Sequence, residues 1–159
     1  MSDGEEARDW KLTDIHHVGL TVSDIERSVQ FYEEMLGMTL LRRRVVGADY
    51  VAQQTGYDAV ELSVASFKVS PRSKQSLEVV QYLNHAGRPN DQATNRPGNS
   101  HLCFLVDDLR ASYQQLREKG VRFKSQPVLI TEGPNQGGLV VYLFDPDGHA
   151  LELFQPPSE

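Results

Sequence analysis

Four side chains in this 159-residue chain have the types and spacing to share a metal ion: His17, Glu78, His101 and Glu152. Each histidine opens an alternating stretch, "HVGLTV" (17–22) and "HLCFLV" (101–106), and each glutamate lies inside another, "SLEVVQY" (76–82) and "ALELF" (150–154). Successive strand residues point to opposite faces. His17 therefore shares a face with Gly19 and Thr21, while His16, Val18, Leu20 and Val22 take the packing face. By the same period His101 faces with Cys103 and Leu105, Glu78 with Val80 and Tyr82, and Glu152 with Ala150 and Phe154. A carboxylate enclosed among apolar neighbours needs a cation or a proton, and a divalent ion held by both His and Glu pairs supplies one. Alone, a strand histidine is more often a hydrogen-bonded structural residue, and a glutamate between aliphatics is usually the wet side of an amphipathic strand. Four such residues at matching places carry more weight.

A nitrogen and carboxylate set of this kind suits one divalent ion, Ni, Co, Mn, Fe or Zn. Four protein ligands in an octahedral shell leave two neighbouring positions for adjacent oxygens of a small substrate. The ion would then polarise a carbonyl and stabilise the enediolate or enolate that forms as the next carbon loses its proton. Glu152 or Glu78 would take and return that proton.

The elements that must position these residues are duplicated. "HVGLTVSDIERSVQFYEE" (17–34) overlays "HLCFLVDDLRASYQQLRE" (101–118) without a gap, and His, Val, Asp, Ser, Gln and Glu coincide. Each copy is an alternating strand, then an acidic or hydroxyl pair suited to capping (Ser23 and Asp24; Asp107 and Asp108), then a helix. Gly37 and Gly120 supply the stops. Three strands follow in each half: 39–46, 60–67 and 76–83, then 121–124, 138–144 and 150–154, with "DPDG" (145–148) as a turn. The predicted class is α+β, two β-α-β-β-β modules forming an open, cup-shaped sheet. Its expected divisions are an N-terminal tail (1–12), a first module (13–84), a linker loop (85–99) rich in Asn, Gly and Pro, and a second module (100–156). The Gly- and Pro-rich run "TEGPNQGG" (131–138) could act as a lid.

Bulk properties fit that size. At 39% hydrophobic and 24% charged residues the chain can bury a core. Its net charge of −6 argues against nucleic acid and anionic membrane as partners. No apolar run approaches the roughly 20 residues of a membrane helix, the acidic start "MSDGEEARDWKL" has no signal core, and Cys103 has no second cysteine to pair with. A cytoplasmic setting is expected. Cys103 reads as a small interior thiol, His149 as an ordinary polar residue after a turn, and "RRR" (42–44) as a solvated edge, with substrate-anion binding the rarer option.

The motifs "HHVGLTVSDIERSVQFYEEMLGM", "LEVVQY", "HLCFLVDDL" and "FDPDGHALELFQ", which span about residues 13–156, resemble the vicinal oxygen chelate superfamily of glyoxalases, epimerases, extradiol dioxygenases and bleomycin resistance proteins. The resemblance implies that His17, Glu78, His101 and Glu152 occupy the four metal-ligand positions, with Glu152 as the base and Glu78 as its alternate, in a glyoxalase-like pattern. It implies a homodimer acting on a small substrate with adjacent oxygens by lyase or epimerase chemistry, the alternatives being an Fe(II) extradiol dioxygenase or a non-catalytic drug-binding protein. The Arg that helps bind glutathione in bacterial glyoxalase I, four residues after the first ligand, is Thr21 here, and the Asn four residues after the second is Tyr82.

Overall fold

The computed structural model describes residues 9–158, so most of the expected N-terminal tail lies outside the described residues. The first half runs β1 (His17–Thr21), α1 (Ile25–Gln30, continuing as a π-helical turn over Phe31–Met35), β2 (Thr39–Val46), α2 (Asp49–Thr55), β3 (Leu62–Lys68) and β4 (Ser76–Tyr82). The second runs β5 (His101–Leu105), α3 (Leu109–Glu118), β6 (Arg122–Phe123), β7 (Val128–Leu129), β8 (Leu139–Phe144) and β9 (Ala150–Gln155). The strand order is β1-β4-β3-β2 in one mixed sheet and β5-β9-β8-β6 in the other, with β7 added beside β8. These are the same order twice, and neither sheet closes on itself.

Helices α1 and α3 start where the repeat places their acidic caps. Asp24 accepts from the Glu26 and Arg27 amides, and Asp108 accepts from the Ala111 amide. A second device recurs three residues after each candidate glutamate: the Gln81 side chain accepts from the Ile25 amide at 3.0 Å, and Gln155 accepts from the Leu109 amide at 2.8 Å. The last strand of each half thus ties down the first turn of its own helix, satisfying an amide the helix cannot.

Two elements depart from the predicted pattern. Helix α2 forms inside the segment between the second and third strands, ended by Gly56 with φ of +75°. Its Val51 packs with Val60, Leu62 and Val64 in a small separate cluster that includes Val46, Val80 and Tyr82 at its edge. The short strand β7 pairs Val128 with Val140 and Leu129 with Leu139, ahead of the "TEGPNQGG" run. Gly138, at the start of β8, is required by contact: a Cβ there would lie 2.8 Å from the Gln155 carbonyl oxygen.

The main core is shared by the two halves. Tyr32, Ala65, Phe67, Leu77 and Val79 of the first half and Leu109, Leu143, Leu151 and Leu153 of the second belong to one cluster. Tyr32 donates a buried hydrogen bond of 2.9 Å to Asp145 of the "DPDG" turn, whose other carboxylate oxygen accepts from the Asp147 and His149 amides. Burial, with the Asp145 charge second, pushes the Tyr32 hydroxyl far above its ordinary range. Arg27 and Ser23 both bind Asp147, and the His149 ring lies 2.8 Å from the Thr21 carbonyl oxygen. So the hairpin turn of the second half is riveted to β1 and α1.

Candidate metal centre

In the first sheet β1 lies parallel to β4, with Gly19 opposite Glu78. Gly19 presents no side chain there, and His17 Nε2 stands 3.7 Å from Glu78 Oε2. Ser66, opposite Glu78 on β3, donates to its other oxygen at 2.9 Å. In the second sheet β5 lies parallel to β9 in the same register, with Cys103 in place of Gly19 and opposite Glu152. His101 Nε2 stands 3.1 Å from Glu152 Oε2, and the Cys103 thiol donates to Oε1 at 3.5 Å. Tyr142, opposite Glu152 on β8, sets its ring edge-on to His101 at 5.2 Å.

Both carboxylates are enclosed, at 18% and 17% side-chain exposure, whereas both imidazoles remain about half exposed. Partial desolvation on this sheet face, and then the nearby Glu152 charge, pushes the Cys103 thiol up to about 11 and raises Tyr142 as well. Two enclosed carboxylates, each with an accessible imidazole beside it, are a donor set that fits a first-row divalent ion.

The structure brings the four residues together as two pairs. Among the described residues no three His, Cys, Asp or Glu side chains converge on one point suited to a metal ion. The shared core explains the separation. Phe67, Leu77 and Val79 on one sheet and Leu143, Leu151 and Leu153 on the other face that core, and each alternates with residues of the His–Glu face, so both pairs sit on faces turned away from it.

Two sequence expectations are corrected. His16, whose carbonyl accepts from the Ser76 amide, is exposed, its Nδ1 2.8 Å from His17 Nδ1, because it lies at the end of the sheet, short of the core that Val18 and Leu20 pack against. Cys103 is exposed beside Glu152, not interior, because the core lies under the opposite face of β5. The rings of His85 and Tyr82 both contact Tyr57, and His85 Nε2 lies 2.9 Å from the Asp58 carbonyl oxygen. Ser66 and Tyr142, which flank the two glutamates, escaped the sequence reading although each holds the right phase in its own strand; which strand lies beside which is a tertiary fact. A cavity of about 390 Å³ is lined by Gly19 and Thr21 of β1, by Tyr82 and by the linker residues Arg88, Asn90 and Gln92, and by none of the four candidate ligands. Another, of about 400 Å³, lies between the π turn and the β8–β9 turn and touches none of the four.

Paired β-α-β-β-β units with a His–Glu pair at the same register in each are the architecture of the vicinal oxygen chelate class. The chain belongs to the Glyoxalase/Bleomycin resistance protein/Dioxygenase superfamily, whose sequence profile matches residues 14–153. It is similar to a 2-epi-5-epi-valiolone epimerase from an Actinomyces species, 32% identical over 91% of this chain and 80% of that one. It is also similar to a probable lactoylglutathione lyase from Synechocystis, 28% identical over 90% of this chain and 95% of the relative. In fold it matches a glyoxalase family protein from Bacillus cereus with a TM-score of 0.82, at 18% identity, across 96% of this chain and 99% of that one.

Proposed function

We propose that this protein is a divalent-metal-dependent enzyme that moves a proton at a carbon next to a carbonyl, as a lyase or epimerase. The observation that carries this reading is the second His–Glu pair standing in the same register as the first. His17, Glu78, His101 and Glu152 would hold the ion, with His17 and Glu78 from one copy of the chain meeting His101 and Glu152 of another in a homodimer. Two outward-facing half-sites in one chain are what such an arrangement requires.

When bound, the ion supplies positive charge for two adjacent substrate oxygens. The chain's own residues supply the rest. Glu152 takes the proton from carbon and returns it, to the same face, the opposite face or the neighbouring atom according to the reaction. The enclosure of Glu152 limits water access, so a proton it holds stays available for return. Tyr142 and His101 fix its position from two sides, while Ser66 holds Glu78 by one oxygen and leaves the other toward His17. The epimerase and lyase names of the relatives fit proton transfer of this kind.

The test is deuterium uptake at the carbon next to the carbonyl in D2O, with 2-epi-5-epi-valiolone and lactoylglutathione as separate probes, beside metal content per chain. Near-stoichiometric metal lost in His101→Ala, with exchange lost in Glu152→Gln, is the expected result. A wild-type chain that holds no metal after reconstitution with Ni, Co, Mn, Fe or Zn overturns the reading, and ring cleavage of a catechol under air would move it to the dioxygenases.

A further inference from the structure

The face of the first sheet that carries Glu78 is also strongly basic. Arg42 on β2 lies opposite Ser66 on β3, which lies opposite Glu78 on β4; Arg44 lies opposite Val64, which lies opposite Val80. Directly paired residues share a face, so Arg42 and Arg44 project from the same side as the His17–Glu78 pair. Arg43, one residue out of phase, goes the other way and forms a two-point ion pair with Glu26 of α1. Lys68, two residues beyond Ser66 on β3, joins the basic face. Glu78 is the single acidic residue in the four strands. Among the described residues Arg42, Arg44 and Lys68 have no ion-pair partner, although the chain as a whole carries a net charge of −6.

We propose that Arg42 and Arg44 form an anion subsite of the candidate centre, which selects substrates carrying a carboxylate or phosphate at the end remote from the adjacent oxygens. This rests on the proposed function for its meaning, but not for its test. Two strand spacings separate Arg42 from Glu78, about 10 Å between backbones, and an arginine side chain spans much of that. Arg42 and Arg44 stand about 7 Å apart along the strand, a spacing at which two guanidinium forks can close on one oxyanion. Between them and Glu78 lie Ser66 and Val64, both buried, the latter packed with Val51 of α2. A negative protein repels anions in general, and a local cationic face that reverses this acts on ligand capture. Because β2 is an edge strand, its arginines also discourage pairing with other chains. That duty does not distinguish Arg43 from its neighbours, whereas an anion subsite does.

The experiment titrates the full chain, metal-loaded and in parallel with chelator, with inorganic phosphate, succinate and neutral glycerol, following arginine Nε–H resonances by NMR. Saturable anion binding is expected in both forms and none for glycerol, weakened at least tenfold by Arg42→Gln or Arg44→Gln and unchanged by Arg43→Gln, with unaltered melting temperatures. Tighter phosphate binding assigns the subsite to phosphate esters, and tighter succinate binding assigns it to carboxylates. Absence of saturable binding, or equal losses in all three variants, overturns the proposal and leaves a solvated edge. Since the chelated chain is read directly, loss of the metal reading leaves this result standing, and the reverse also holds.

Discussion

At the scale of single residues the two glutamates are similar in enclosure and differ in company. Glu78 has a hydroxyl donor and faces a glycine, whereas Glu152 is crowded by Cys103, Tyr142 and His101. In the proposed function Glu152 is the base and Glu78 the steadier ligand. Glu152→Gln is therefore expected to lower turnover by about 10² to 10⁴-fold, the usual weight of a general base, while metal content falls little; steady-state rates beside elemental analysis check it. The faces of His17, His101, Glu78 and Glu152 were readable from period alone. His16 was not, because it lies at the end of the sheet, beyond the core that covers its face at Val18 and Leu20. Cys103 showed its phase but not its surroundings, and phase does not reveal which face is covered.

At the scale of elements, the repeated glutamine three residues after each glutamate couples the site strand to the helix behind it. In Gln155→Ala the Leu109 amide loses its partner while Leu109 stays buried. Such a loss is worth about 1–2 kcal/mol, to be read as a lower urea midpoint with unchanged slope. Tyr32→Phe leaves a buried carboxylate oxygen of Asp145 without its donor, and a cost of about 1.5–3 kcal/mol is expected from the same measurement because the acceptor is charged. The main strands and two helices were legible because their apolar spacing and acidic caps are local signals. Helix α2 was missed, although Val51, Ala52 and Thr55 followed by Gly56 carry a helical spacing and a stop, because it is only a turn or two long and its apolar side covers a sheet face that sequence treats as open. Strand β7 is two residues long and exists only because β8 offers an edge.

At the scale of the whole molecule, two half-sites facing away from a common core predict complementation between variants. A chain with His17→Ala and a chain with His101→Ala each lose metal as pure proteins. Mixed and re-equilibrated, half of a statistical population pairs one of each, and one of the two sites in such a dimer is intact. Metal content and turnover should then recover to about a quarter of wild type. No recovery, in a mixture shown to exchange subunits, would mean that each site is built within one chain.

The duplication, the alternating strands, the capped helices and the four candidate ligands all follow from local spacing and from the comparison of one half with the other, so the sequence by itself determined the fold class and the candidate residues. How the halves meet was decided by tertiary structure. One core shared through the helix-bearing faces, locked by Tyr32 to Asp145 and Arg27 to Asp147, turns each His–Glu pair outward. Periodicity tells which residues share a face of their own strand; only contacts between residues more than a hundred positions apart tell what that face looks at.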